Sequence, residues 1–265
     1  MILVGVATYR RAARTLPVWI ERMSIVAPPA KVGALMVACD GEHALETALP
    51  LARHGFGVVG RKERVGVATN KSRIFRFFLE NRAYSHLFLF EDDCWPIKEG
   101  WMDFYLDHHE RGQTECLLFL PPGMYGALAY SKLLPAGAAL NGYTQDGGML
   151  LSLTRKAIET CGGFHKAFKA ALYGGEHSEL VRRLTRNALM PWTYLAPRGC
   201  EAYFDGWDYA SWRGKLRDQP GYEDWCNDVK RLPRGQGKKE AEQGLAIFDR
   251  VKDDGSVFHD PRWEK

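Results

Sequence analysis

The sequence predicts an α/β fold: a mixed, mainly parallel sheet flanked by helices. Three observations predict it. Short apolar runs alternate with helical segments through residue 95. The runs are solidly apolar, as strands buried on both faces are. Polar residues gather where the runs stop, at Thr8, Asp40 and the acids Glu91, Asp92 and Asp93. In sheets of this kind ligands bind at the carboxyl ends of the strands.

The elements follow in order. Ile2 to Ala7 is a strand, ending at Thr8, Tyr9 and Arg10. A helix carrying Trp19, Ile20 and Met23 follows and is broken by Pro28 and Pro29. Val32 to Cys39 is a second strand, closed by Asp40-Gly41, and His43 to His54 reads as a helix. Phe56 to Val59 is a third short strand. In GVATNKSRIFRFFLENR, the residues Ile74, Phe75, Phe78 and Leu79 mark one helical face. Leu87 to Phe90 is the fourth strand.

The second half is less regular. Ile97 to Glu110 reads as a helix, and Cys116 to Leu120 and Met149 to Leu153 as strands. The stretch between these strands is rich in Gly and Ala, and we read it as a loop with a hairpin that lines a substrate site. Glu176 to Arg186 is a helix with Leu180 and Leu184 on one face. An aromatic, irregular segment (YFDGWDYASWRGK) and a basic one (230–239) precede a last helix, AEQGLAIFDRV.

Composition bounds the rest. The 265 residues, 46% hydrophobic, suffice for one large domain. A net charge of +4 does not require a nucleic-acid partner but admits an anionic ligand. The six cysteines have no C-x-x-C spacing, which argues against zinc ribbons and disulfide scaffolds. Cys39, Cys94 and Cys116 read as small buried hydrophobes. No apolar stretch is long enough for a transmembrane segment, and a cytoplasmic location is the expectation.

The acids after the fourth strand carry the chemistry. Glu91 and Asp93 stand at the period-two spacing of an extended chain, which puts both carboxylates on one face. Two such carboxylates suit a hard cation, Mn2+ or Mg2+. The competing reading is a solvated turn.

VATYRR, ACDGE, GVATNKSRIFRFF and FEDD, in this order, resemble the nucleotide-binding half of GT-A fold glycosyltransferases, particularly the family 2-like group. The resemblance implies a Rossmann-like nucleotide-sugar-binding half over residues 1–100. It implies an acceptor-binding half with a C-terminal extension over 101–265, the two forming one continuous domain. Thr8 and Tyr9 would meet the nucleobase, Asp40 would hydrogen-bond it, and Asn70 and Lys71 would lie near the ribose and diphosphate. Asp93 and Glu91 would hold the metal, Glu standing where the family carries Asp. Asp92 counts among the donor-binding residues or faces the other way.

TQDGGMLLSLTRKA and ALYGGEHSELVRRL resemble the acceptor half of the same fold. There Glu176 or His177 would be the general base, unless the enzyme is of the retaining type. His259 is the third metal ligand suggested, with Asp205 and Asp208 as rivals. Trp207, Tyr209 and Trp212 stack on an acceptor or belong to the core or a lid.

The function this implies is metal-dependent transfer of a sugar, a hexose by expectation, from a nucleotide-sugar donor, UDP-linked, to an acceptor hydroxyl. The acceptor is a glycan, a small molecule or a modified DNA base. The last is suggested by basic clusters at 61–64, 71–76, 182–186 and 230–239. The rivals are a non-catalytic protein that binds glycan or nucleic acid, and a nucleotidyltransferase.

Overall fold

The computed structural model describes residues 1–9, 12–27, 31–124, 126–145, 147–172, 174–206 and 236–263. Its centre is a six-stranded sheet. The strands are β1 (Ile2–Thr8), β2 (Val32–Asp40), β3 (Gly57–Arg61), β4 (His86–Glu91), β6 (Cys116–Leu118) and β9 (Leu150–Thr154), in the order β3-β2-β1-β4-β9-β6. β3, β2, β1 and β4 pair in parallel, and β9 runs antiparallel to both its neighbours. The predicted class, mixed and mainly parallel with flanking helices, is therefore the observed one.

The order fixes where a ligand crevice falls. The chain winds outward from β1 to β2 and β3, then returns to lay β4 on the other side of β1. That reversal opens a crevice at the carboxyl ends of β1 and β4. Thr8 and Glu91 stand there.

Helices cover the sheet because its central strands β1, β4 and β9 bury both faces. In α1 (Ala12–Val26) Leu16, Trp19 and Met23 are buried, and Trp19 meets Phe90 of β4 edge-on at 5.9 Å. α3 (Val67–Glu80) buries Ile74, Phe75 and Phe78. α4 (Trp101–Gly112) places Trp101 against Phe88 at 5.0 Å. Burial of a large aromatic side chain of this kind stabilises by about 1.5–3 kcal/mol.

Two predicted helices differ in detail. The helix expected over 43–54 is α2 (Glu42–Ala48) followed by a 3-10 turn, Leu49–His54. Pro50 lacks the amide that would continue α2, so the chain tightens there. The helix expected from Ile97 starts at Trp101, after Gly100 at φ 79°. Ahead of it a three-residue strand, β5 (Cys94–Pro96), pairs with β11 (Phe204–Gly206).

The expected hairpin is present. β7 (Leu128–Leu133) and β8 (Ala139–Tyr143) pair antiparallel, and β10 (Leu195–Pro197) joins β8. Beyond β9 come α5 (Arg155–Cys161) and α6 (Glu176–Arg186). The last helix, α7, spans Gln236–Val251 and so begins earlier than expected. Trp207, Asp208, Tyr209, Trp212 and residues 230–235 lie outside the described residues.

Candidate functional site

The carboxyl ends of β1, β2 and β4 and the start of α3 form one framework. Asn70 ties two of the strands together: its Nδ2 donates to Ala38 O at 2.9 Å and Thr8 O at 3.3 Å. Arg73 supports it from below, donating to Asn70 Oδ1 and Cys39 O. Asp40 is 3% exposed and accepts the amides of Val65 (2.6 Å) and Gly66 (2.9 Å). It thereby shapes the loop that opens α3. Burial raises the Asp40 carboxyl, and those two amides pull it back down.

Asp92 is turned under this framework. Its Oδ2 accepts the hydroxyls of Thr8 (2.6 Å) and Thr15 (2.9 Å), tying the end of β1 to α1. Tyr9 is half-buried, with the Arg64 guanidinium 4.5 Å from its ring centre. Arg64 also makes a bidentate pair with Glu240 of α7, at 2.7 and 2.8 Å.

At the centre is Lys71, 1% exposed. Its ammonium donates to Glu91 Oε1 and to His177 Nε2, the latter at 2.7 Å, and Glu176 Oε1 lies 3.8 Å away. His177 Nε2 is 3.8 Å from both carboxylates. One lysine from the first half of the chain thus meets both residues that open α6. An ammonium has only protons to offer, so His177 Nε2 accepts and the ring proton sits on Nδ1. Burial, and then Lys71, hold His177 well below its usual value. Gly148 makes room for the ring: a Cβ there would lie 1.9 Å from His177 Nδ1. Phe164 packs on the other side, 5.5 Å between ring centres.

Glu91 and Asp93 differ from the extended picture. β4 ends at Glu91, and residues 92–93 form a turn. The two carboxylates still feel each other, since Asp93 helps raise Glu91. Burial is the larger cause and takes Glu91 up to about 7 against the pull of Lys71. Its side chain is 24% exposed, and Asp93 is 5% exposed. In kind, two hard carboxylates fit a divalent cation. Lys71 competes with such an ion for Glu91.

His259 departs from its expected place. Among the described residues, the three that bring potential ligand atoms within 4.8 Å of one another are His165, Asp254 and His259. Glu91 and Asp93 do not gather with His259 in this way. Burial pushes His259 down to about 4, aided by Arg183. Asp205 lies in β11. No helix among the described residues is long and apolar enough to cross a membrane.

Sequence reasoning missed Arg64, Glu240, Gly148, Phe164 and His165. A bulky ring, a glycine or a basic loop carries no signal of a partner tens of residues away. Only the basic run 61–64 drew notice, as an anion surface, and its Arg64 is engaged by Glu240.

No protein-family model matches the sequence, and no curated protein matches it. Solved structures do match. A mannosyltransferase from Pyrobaculum calidifontis, PcManGT, in complex with GDP-Man and Mn2+, aligns over 96% of this chain and 76% of its own. Its TM-score is 0.51 at 13% identity. S. aureus TarS 1-349 in complex with UDP-GlcNAc aligns over 48% of this chain and 39% of its own, with a TM-score of 0.37 at 14% identity. The first likeness shows the fold that this chain shares with a glycosyltransferase.

Proposed function

We propose that the chain is a glycosyltransferase of GT-A type, family 2-like, that moves a hexose from a nucleotide-sugar donor, UDP-linked, to an acceptor hydroxyl. One observation carries the reading. The strand-end framework of the first half and the Glu176-His177 helix start of the second converge on Lys71, with 2.7 Å between Lys71 and His177. The fold shared with a mannosyltransferase solved with GDP-Man and Mn2+ supports the same class.

In this reading residues 1–100 bind the donor and residues 101–265 the acceptor. Tyr9 meets the nucleobase, and Thr8, Asp40 and Asn70 hold the strand ends and the loop that frame it. Asp93 and Glu91 would hold Mn2+ or Mg2+, and the ion would supply Lewis-acid stabilisation of the leaving diphosphate. Lys71 ties Glu91 of the first half to His177 of the second and fixes His177 as the Nδ1-protonated tautomer. Because the His177 Nε2 lone pair is spent on Lys71, Glu176 is the general base that takes the acceptor proton.

The test is a nucleotide-sugar panel, UDP- and GDP-linked, read by release of the diphosphate with and without Mn2+. Acceptors (glycan, small molecule, modified DNA) are screened next. The reading predicts one preferred donor and dependence on the ion. Absence of turnover with every donor rejects it.

A further inference from the structure

We infer that His165, Asp254 and His259 form a binding site for one divalent ion of zinc type, separate from Glu91 and Asp93. The inference does not depend on the proposed activity. Two parts of the chain build the site. His165 follows Phe164 in the loop after α5, and Asp254 and His259 come from the segment after α7. His165 Nε2 lies 3.0 Å from Asp254 Oδ2, and the rings of His165 and His259 pack edge-on at 4.2 Å. One ligand atom from each residue falls within 4.8 Å of the others.

The independent sign of a ligand is at His259. It is 8% exposed, and its Nε2 is buried with no hydrogen-bond partner among the described residues. Buried imidazole nitrogens are ordinarily satisfied, so an orphan beside a histidine and a carboxylate points to a group that completes it. Two imidazoles and one carboxylate favour zinc, cobalt or nickel over magnesium or calcium, which prefer all-oxygen sites.

Backbone contacts and Arg183 hold these residues in place. Gly162, at φ 70°, bridges to His259, where a Cβ would stand 1.9 Å from His259 O. The Gly163 amide donates to His259 O at 2.9 Å. Arg183 donates to the carbonyls of Cys161, Gly163 and Val257, joining both segments. Asp254 also accepts the Ser256 amide through its other oxygen, Oδ1, at 2.9 Å.

Ion binding changes His165. Without an ion it donates Nε2–H to Asp254 and accepts the Ala167 amide at Nδ1, at 3.0 Å. Ligation through Nε2 moves the ring proton to Nδ1 and gives up the Ala167 bond, leaving that half-buried amide to water. The ion would then staple the C-terminal segment to the loop whose Phe164 supports His177.

Cobalt and zinc binding to the full chain tests this, in an Asp93→Ala background that disables the other candidate site. The expected result is one bound Co2+ with visible d–d absorption, displaced by Zn2+ and not by Mg2+, and a rise in melting temperature with Zn2+. Asp254→Ala and His259→Gln should each weaken binding by about tenfold or more. Asp254 is partly exposed, so its variant keeps the test open if His259→Gln does not fold. Absence of stoichiometric binding, or binding that both variants leave unchanged, overturns the inference.

Discussion

At the scale of single residues the site depends on Lys71. Replacing Lys71 by Met removes the cation shared by Glu91, Glu176 and His177. A buried ion pair broken from one side costs about 3–5 kcal/mol, because the remaining charge is left unpaired. The expected outcome is a loss of that size in urea unfolding, partly recovered when Glu91→Gln is added. His109 offers a test by pH. It is fully buried, bonded to Thr114 O and Ser152 Oγ, and burial holds it down to about 4. Its unfolded value is near 6.5, so the unfolded chain binds the extra proton between those values. The stability it contributes is complete above about pH 6.5 and is lost as pH falls through about 4. The loss is on the order of 3 kcal/mol. Unfolding curves at pH 7 and pH 4 should show a smaller acid effect in His109→Asn than in the native chain.

At the scale of elements, two joints carry the second half. Gly162 holds its backbone at φ 70° against His259, so Gly162→Ala meets both strain and a collision with His259 O. The expected cost is about 2–3 kcal/mol by thermal or denaturant unfolding. Arg64 clasps α7 through Glu240, and Arg64→Ala should raise amide exchange along residues 236–251 while leaving β1 and β4 protected. The sequence made some elements legible and hid others for physical reasons. β1, β4 and the second half of β2 were readable because each buries both faces and shows a solid apolar run. β5 and β11 were not, because three residues acquire strand geometry only from each other. The break at Pro50 was written in the chain, but the surrounding apolar residues masked it.

At the scale of the whole molecule, the strand order β3-β2-β1-β4 brings Thr8, Asp40, Asn70 and Glu91 to one side of the sheet. Those residues were legible, since polar groups interrupt apolar runs there. Their division of labour was not. Asp92 looks equivalent to its neighbours in sequence, yet Thr8 and Thr15 claim it. His259 looked like a ligand for the same acids, yet the fold sets it beside His165 and Asp254. Each outcome turns on a partner more than 70 residues away in the chain, Thr8 and Thr15 for Asp92 and His165 for His259, which no local pattern encodes.

In the proposed activity Asp93 would anchor an ion that makes the donor diphosphate a better leaving group. The most direct measurement is turnover of the preferred nucleotide-sugar with Mn2+ by the native chain and by Asp93→Ala, with unfolding curves of both. The expected result is a fall in rate on the order of 100-fold with the fold intact. A fully active, ion-dependent Asp93→Ala enzyme would contradict it.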